Sequence, residues 1–206
     1  MPFGYIGQNQ PKQKVKNAGV LSSFEVSHLE KQGHIGDGLE FISEQTASNS
    51  AIEFTLSGYD VYMIQVENGV PTTQTEFGIR FKPEGGSYAS SNYNFANQRL
   101  FANGTFEERK STSQASIRLG GDVETSDEFF STIYIYNANN TSHYTTITHT
   151  SVFGATSGGG QFGQENGGGV YTQTDNASTI KIGEQTTVGV ITSGTARLYG
   201  MKQWAL

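Results

Sequence analysis

Apolar residues occupy every second position through much of the chain beyond Gly38. The alternation is clearest in three segments, whose apolar residues are Ile52, Phe54 and Leu56, then Tyr62, Ile64 and Val66, and then Phe77, Ile79 and Phe81. Because successive side chains of a strand point to opposite faces, each segment is typical of a half-buried β-strand. Further segments with strand character are 39–44, 93–101, 116–120, 129–136, 144–153, 170–173, 179–183, 187–192 and 195–201.

Turn-forming dipeptides separate many of these segments, as hairpins require. The dipeptides are Asn68-Gly69, Gly85-Gly86, Asn103-Gly104 and Gly120-Gly121. About a dozen short strands with one apolar face each cannot bury those faces in one flat sheet, so they must close or stack. The sequence therefore predicts an all-β fold, a jelly-roll-like antiparallel β-sandwich, over residues 37–206.

The first 36 residues have a different character and are predicted to form a separate docking region. An aperiodic, extended arm contains the basic residues Lys12, Lys14 and Lys16. It is either a solvated tail or an arm that docks on a partner. A capping box at Ser22–Glu25 and a terminating Gly33 then predict one short helix over roughly 23–32, too short to be stable alone.

Three apolar residues near the ends of the chain are predicted to contact partners. Phe24 and Leu29 belong to the short helix, which must pack against something. Trp204 lies two residues from the end of the sequence, and a tryptophan otherwise left in water suggests a contact with a neighbouring subunit.

A glycine-rich stretch interrupts the alternation at residues 154–169. It includes Gly158-Gly159-Gly160 and Gly167-Gly168-Gly169. Such a stretch is predicted to be a loop that is either mobile or shaped by a ligand or neighbour. The candidate ligand-contacting residues in it are Gln161, Phe162, Gln164 and Asn166.

Composition excludes several classes of function. The 13 Lys and Arg residues against 19 Asp and Glu residues give a net charge of −6, which provides no bulk attraction for nucleic acid. No apolar run is long enough to span a bilayer, and the first residues lack the pattern of a signal peptide. The chain has no cysteine, which excludes disulfides and thiolate metal sites.

Catalytic and metal-binding patterns are weak. The glycine triplets are not followed by Lys-Ser or Lys-Thr, and the four histidines, His28, His34, His143 and His149, lack metal-ligand spacing, so they are interpreted as surface or partner-contact residues. Two acidic pairs, Glu107-Glu108 and Asp127-Glu128, are interpreted as solvated turn residues. We therefore expect no catalytic residue, no metal and no cofactor.

Tyrosines offer one further interpretation. Tyr134, Tyr136, Tyr144, Tyr171 and Tyr199 are predicted on the polar faces of strands, where nearby amides would suit a sugar ligand. The same tyrosines could instead complete a sandwich core or an oligomer interface. Both readings remain open at this stage.

Several stretches resemble a group of virion proteins of tailed bacteriophages, particularly marine ones. They are Gly38–Gln45, Tyr59–Val66, Ile79–Phe81 with Gly85–Tyr88, and Ser193–Lys202, together with Met1–Gly4 and the segment from Lys16 to Leu29. The resemblance covers nearly the whole chain, and the group has no catalytic signature to transfer.

The resemblance implies a non-enzymatic structural component of the virion, in the tail, neck, fibre or capsid surface. Its expected partners are other virion proteins and further copies of itself, with a trimer favoured. An alternative is a carbohydrate-binding module that recognises a host-surface glycan. A third class, a jelly-roll glycan lyase or hydrolase, would use Glu107, Glu108, Asp127 or Glu128.

Overall fold

The computed structural model describes residues 39–155, 161–185 and 189–201, and all regular structure in these ranges is β-strand. The strands are β1 (Glu40–Ser50), β2 (Ile52–Thr55), β3 (Val61–Pro71), β4 (Thr75–Pro83), β5 (Tyr93–Phe101), β6 (Phe106–Gln114), β7 (Ile117–Val123), β8 (Phe129–Tyr136), β9 (Thr145–Ala155), β10 (Gln161–Tyr171), β11 (Ala177–Glu184) and β12 (Ile191–Met201). Within these ranges, no helix has the length and apolar character needed to cross a membrane.

The strands form two antiparallel layers, so the predicted all-β sandwich is confirmed. The large sheet has the order β1-β12-β3-β8-β9-β10-β5-β6, and the small sheet has the order β7-β4-β11-β2. Among the described residues, Val123 on β7 and Ala155 on β9 form the one strand pair that links the two hydrogen-bonded sets.

The core lies between the two sheets and is built from the inward positions of the alternating strands. Ile52, Phe54, Phe77, Ile79 and Phe81 come from the small sheet, and all are buried. The large sheet contributes the buried residues Tyr62, Ile64, Val66, Phe129, Ile133, Ile135, Phe153 and Leu198. The rings of Phe77 and Phe129 stack across the layers, with centroids 4.2 Å apart and planes within 3° of parallel.

Strand β6 is absent from the sequence prediction. Its sequence, FEERKSTSQ, has one apolar residue, Phe106, and therefore no apolar alternation to detect. It lies at the edge of the large sheet with β5 as its neighbour, and edge strands are commonly charged. Glu107 and Glu108 accordingly lie in a strand, and their assignment to a turn was wrong.

The glycine-rich stretch was also assigned wrongly. Residues 161–171 form β10, which pairs along its length with β9 on one side and β5 on the other. The predicted short strand at 170–173 is the end of β10. The segment is a central strand of the large sheet, so the loop interpretation of Gln161, Phe162, Gln164 and Asn166 does not hold.

Two predicted turns are bulges inside strands. Asn68 adopts a φ of 52° within β3, where the register with β8 shifts between Val66 and Gly69. Gly120-Gly121 lies within β7, followed by Asp122 at a φ of 62°. An Asn or Asp at positive φ suits a bulge as well as a hairpin, so the dipeptide alone does not distinguish them.

The other two predicted turns are confirmed. Gly104 has a φ of 86° in the connection between β5 and β6. Gly85 has a φ of 69° in the turn after β4, and the next strand, β5, begins at Tyr93. The register between β12 and β3 shifts between Ser193 and Thr195, around Gly194.

Several predictions fall outside the described residues. These are the division at residues 36 and 37, the arm with Lys12, Lys14 and Lys16, the helix with Phe24 and Leu29, and Trp204. They stay predictions.

Candidate functional site

Three glycines of β10, namely Gly163, Gly167 and Gly169, lie on its inward face, and Gly168 lies on its outer face. Gly167 lies between Asn97 on β5 and His149 on β9 in the sheet register. Asn97 Oδ1 and His149 Nε2 approach to 3.3 Å, and a Cβ on Gly167 would lie 2.2 Å from the same Asn97 oxygen. A side chain at 167 would therefore clash with its neighbours, which explains this glycine.

Glu165 is the one charged residue on the inward face of β10, and it is fully buried. Its Oε1 accepts a hydrogen bond from Asn97 Nδ2 at 2.7 Å and lies 3.2 Å from Arg118 Nε. Its Oε2 accepts from Arg99 Nε at 3.1 Å. A buried carboxylate is tolerable only when donors and cations replace water, and Glu165 has two hydrogen-bond donors and a second guanidinium within ion-pair distance.

Arg99 on β5 is also fully buried and is the largest such side chain in the core. Its Nη1 donates to Asp122 Oδ2 at 2.7 Å and lies 3.6 Å from Glu107 Oε2. The guanidinium stands over the rings of Phe101 and Phe153, at 5.4 and 5.6 Å from their centroids. Three carboxylates, those of Glu165, Asp122 and Glu107, and two aromatic faces thus compensate the desolvated cation.

A second buried arginine, Arg118 on β7, lies beside the first. Its Nη1 donates to Glu76 Oε1 on β4. The Nη2 atoms of Arg99 and Arg118 have no hydrogen-bond partner, and both would contact a Cβ on Gly121. Glycine at 121 therefore makes room for two guanidinium groups. We name Arg99, Arg118, Glu165, Asp122 and Glu76 the buried charge cluster.

Two titratable groups in and beside the cluster have displaced pKa values. Burial, reinforced by the Asp122 carboxylate, raises the pKa of Glu76 to about 7, against the opposing attraction of Arg99 and Arg109. Burial lowers the pKa of His149 to about 4, partly offset by Glu165. At neutral pH, His149 is therefore neutral, and Glu76 is poised between its two protonation states.

The cluster contains an acid near neutral pKa, but its donors and acceptors are largely paired with one another. Glu165 and the two arginines neutralise each other in the interior, while Glu76 and Asp122 lie partly exposed at the rim. Among the described residues, no group of three or more His, Cys, Asp or Glu side chains could hold a metal ion. The arrangement is suited to joining β4, β5, β7 and β10.

Sequence reasoning missed this cluster. His149, interpreted as a surface residue, is buried, and Tyr171, predicted on a polar face, is buried too. One signal was present: alternation in the strand 93–101 places Asn97 and Arg99 on the same face as Tyr93 and Phe101. A polar pair on an apolar face indicates buried polar partners.

The outer face of the large sheet is the second candidate site. One register row crosses all eight strands through Phe41, Tyr199, Met63, Tyr134, Thr148, Gly168, Ala96 and Lys110. The adjacent row contains Glu44, Arg197, Gln65, Thr132, Thr150, Asn166, Gln98 and Glu108. Tyr134, Tyr136 and Tyr199 are half-buried on this face, and Tyr144 is exposed just before β9.

Exposed apolar side chains concentrate on the same face. Phe162, Leu100 and Phe106 come from the neighbouring strands β10, β5 and β6, and each is more than half exposed. We name these three residues the edge patch. Phe41 and Phe130 are further exposed apolar residues of the face.

A shallow groove of about 520 Å³ lies farther along the strands from the edge patch. Its floor is Ala96 and Gly168, which are register partners with almost no side chain, and Asn94, Lys110 and Thr112 stand around it. Of the predicted ligand residues, Phe162 and Asn166 are exposed and Gln164 is half-buried, all with the outward alternation of β10.

Of the remaining acidic candidates, Asp127 lies against Gly154, the register partner of Phe162, and so adjoins the edge patch. Asp127 and Glu128 belong to the connection between β7 and β8, as predicted, and His143 is exposed before β9. No protein-family model, curated protein or solved structure matches this chain.

Proposed function

We propose that this chain is a non-enzymatic structural component of a tailed-phage virion, located in the tail, neck, fibre or capsid surface, that assembles as an oligomer through its arm and sheet faces. The observation that carries the proposal is the outer face of the large sheet. Five exposed large apolar residues lie on it, namely Phe41, Leu100, Phe106, Phe130 and Phe162. Apolar side chains gathered on one face are typical of an interaction surface.

The strand order supports a jelly-roll topology for this component. Without the neighbouring strands β5, β6, β9 and β10, the sheets read β1-β12-β3-β8 and β2-β11-β4-β7. The chain then passes between layers at each of β1 to β2, β3 to β4, β7 to β8 and β11 to β12, which is how two Greek keys wind into a jelly roll. Viral capsid domains are among the proteins that use this architecture.

The charge cluster agrees better with a structural than with a catalytic role. Glu165 and Arg99 are closed off from solvent and bonded to each other. A catalytic pair needs acid and base groups that a substrate can reach across a cleft. We therefore assign the cluster to the internal architecture of the component.

The test is quantitative mass spectrometry of purified particles from a phage that encodes this chain. Copies on the order of hundreds per particle would place it on the capsid surface, and roughly three to a few tens would place it in the tail, neck or fibre. Absence from purified particles would overturn the proposal.

A carbohydrate-binding role is the second candidate, favoured by the rows of the outer face. Tyr134 stands in one row, with Thr132, Asn166 and Gln98 in the next, so an aromatic ring and hydrogen-bonding groups share a flat surface. Binding of a defined glycan by a monomer, lost in Tyr134→Ala but not in Tyr144→Ala, would establish it. Equal binding by both variants would exclude this surface.

A further inference from the structure

Strand β6 leaves one edge of the large sheet open. It pairs with β5 from Phe106 opposite Leu100 to Gln114 opposite Tyr93, and no described strand lies on its other side. An edge strand presents a row of backbone donors and acceptors to any extended chain that can lie beside it. The side chains of β6 decide which chain that can be.

The charges on β6 alternate in a self-complementary way. Glu108 and Lys110 lie on the outer face, two residues apart, opposite Gln98 and Ala96 of β5. Both are strongly exposed, at 64% and 75% of their side chains, and they form an ion pair with each other at 3.4 Å. When two identical strands pair antiparallel, an acid and a base two residues apart can each face the opposite charge on the other copy.

We propose that a second copy of this chain pairs antiparallel with β6 across a two-fold axis at Arg109. Paired residues of an antiparallel sheet share a face, so an axis at Arg109 places Glu108 opposite the partner subunit's Lys110 and, by symmetry, Lys110 opposite the partner's Glu108. Both large sheets then join into one, with their outer faces on the same side. The axis also places Arg109 opposite its own copy on the inner face, where each guanidinium is already paired with Glu107 of its own chain at 2.8 Å. The outer-face pairs of Glu108 with Lys110 therefore carry the charge complementarity.

The same register gives Phe106 of the edge patch a neighbour at the groove. It places Phe106 opposite the partner's Thr112, on the margin of the groove whose floor is Ala96 and Gly168. Phe106 is 56% exposed in one copy of the chain, so the partner's groove gives it apolar contact that it otherwise lacks. By symmetry, the contact forms twice. Charge pairing and apolar contact therefore specify one register.

The inference deepens the proposed assembly role and rests on it only in requiring self-association.

The test uses the full chain in four forms: wild type, Glu108→Lys, Lys110→Glu and the double variant. Glu128→Lys, in an exposed connection, is a control with the same charge change as Glu108→Lys. Molar mass is measured by light scattering across a concentration series. Each single variant puts like charges opposite one another twice, so we expect its dimer to dissociate about tenfold more readily.

The double variant restores opposite charges in the reverse order, and we expect it to dimerise within about threefold of wild type. The Glu128→Lys control should dimerise as wild type does. A monomer at every concentration, or an assembly that responds to the β6 variants no more than to Glu128→Lys, would overturn the inference. If the chain forms a trimer that responds to the β6 variants no more than to Glu128→Lys, the β6 contact is wrong but the proposed assembly role still holds.

A cross-link tests the register directly. Because the chain has no cysteine, Arg109→Cys introduces a single thiol that the two-fold axis would place next to its copy, within the reach of a disulfide. We expect rapid disulfide-linked dimers under mild oxidation, compared with Ser48→Cys on the other edge strand, β1. Equal rates for the two variants would contradict the β6 contact.

Discussion

Glu165 Oε2 accepts a hydrogen bond from Arg99 Nε at 3.1 Å, and neither side chain is exposed to solvent. The two residues lie on neighbouring strands, β10 and β5, opposite each other in the register. Desolvating both charges costs several kcal/mol per ion, which their attraction only repays when the remaining donors and acceptors are paired. The surrounding contacts with Asn97, Arg118 and Asp122 supply much of that pairing, while Nη2 of Arg99 has no hydrogen-bond partner.

Removing the charge of Glu165 should strongly destabilise the fold. In Glu165→Gln, Arg99 and Arg118 lose a shared counter-ion in the interior, and we expect the free energy of unfolding to fall by about 3–5 kcal/mol. Urea denaturation measures the change. The control Glu108→Gln, on the exposed face of β6, should change stability by less than about 0.5 kcal/mol. A loss below about 1 kcal/mol in Glu165→Gln would show that the cluster is not desolvated as described.

Gly167 should tolerate no side chain. A Cβ there would lie 2.2 Å from Asn97 Oδ1 and 2.5 Å from the carbonyl oxygen of Ala96, a backbone atom that cannot rotate away. We expect Gly167→Ala to lower the free energy of unfolding by about 1–3 kcal/mol because neighbouring strands must shift. Asn166→Ala, the next residue on the opposite face, is the control. If both variants melt at the wild-type temperature, the close approach of β5 and β10 is wrong.

His149 should make stability depend on pH in the acidic range. Its folded pKa of about 4 lies below the ordinary value of 6.5, so between these pH values the unfolded chain binds a proton that the folded chain does not. The contribution is therefore fully present above about pH 6.5 and is lost as pH falls towards 4, by up to about 3 kcal/mol. The stability of wild type minus that of His149→Gln should therefore rise by this amount between about pH 4 and 6.5, measured by urea unfolding at a series of pH values. His143→Gln, at an exposed position, is the control and should show the wild-type profile.

Glu76 should act in the opposite direction over a similar range. Its folded pKa of about 7 lies above the ordinary 4.5, so the folded chain holds a proton that the unfolded chain has released, and stability falls as pH rises from 4.5 to 7. Glu76→Gln removes this fall, so its stability relative to wild type should increase across that window. A difference between the two proteins that is the same at pH 4.5 and pH 8 would show that the pKa of Glu76 is not raised in the folded chain.

These two groups offset each other in the intact protein. His149 adds stability with rising pH, while Glu76 removes it, and their windows overlap. We therefore expect the pH profile of wild-type stability to be flatter than that of either Glu76→Gln or His149→Gln. A single-variant profile as flat as wild type would contradict this compensation.

The reach of sequence reasoning differed between strands for a physical reason. Around Ile52 to Phe54 and Phe77 to Phe81, one face of the strand meets the core and the other meets polar surroundings. Consecutive residues therefore alternate between apolar and polar, and the sequence shows the strand. Strand β6 lies at the edge of the large sheet with no buried residue, and Phe106 is its only apolar residue, so it shows no alternation. Strand β10 was predicted as a loop because three of its inward positions, Gly163, Gly167 and Gly169, are glycines. These glycines leave space for side chains from β5, β7 and β9.

The sequence by itself determined the all-β class, most strands and two of the four turns, because alternation and turn chemistry are local properties of consecutive residues. Only the tertiary structure decided that Asn68-Gly69 and Gly120-Gly121 are bulges, that 161–171 is a central strand and that Arg99, Arg118 and Glu165 meet in the interior. Those outcomes depend on which strands become neighbours. Residues 66 positions apart in the chain, such as Arg99 and Glu165, acquire their chemistry only when β5 and β10 pair.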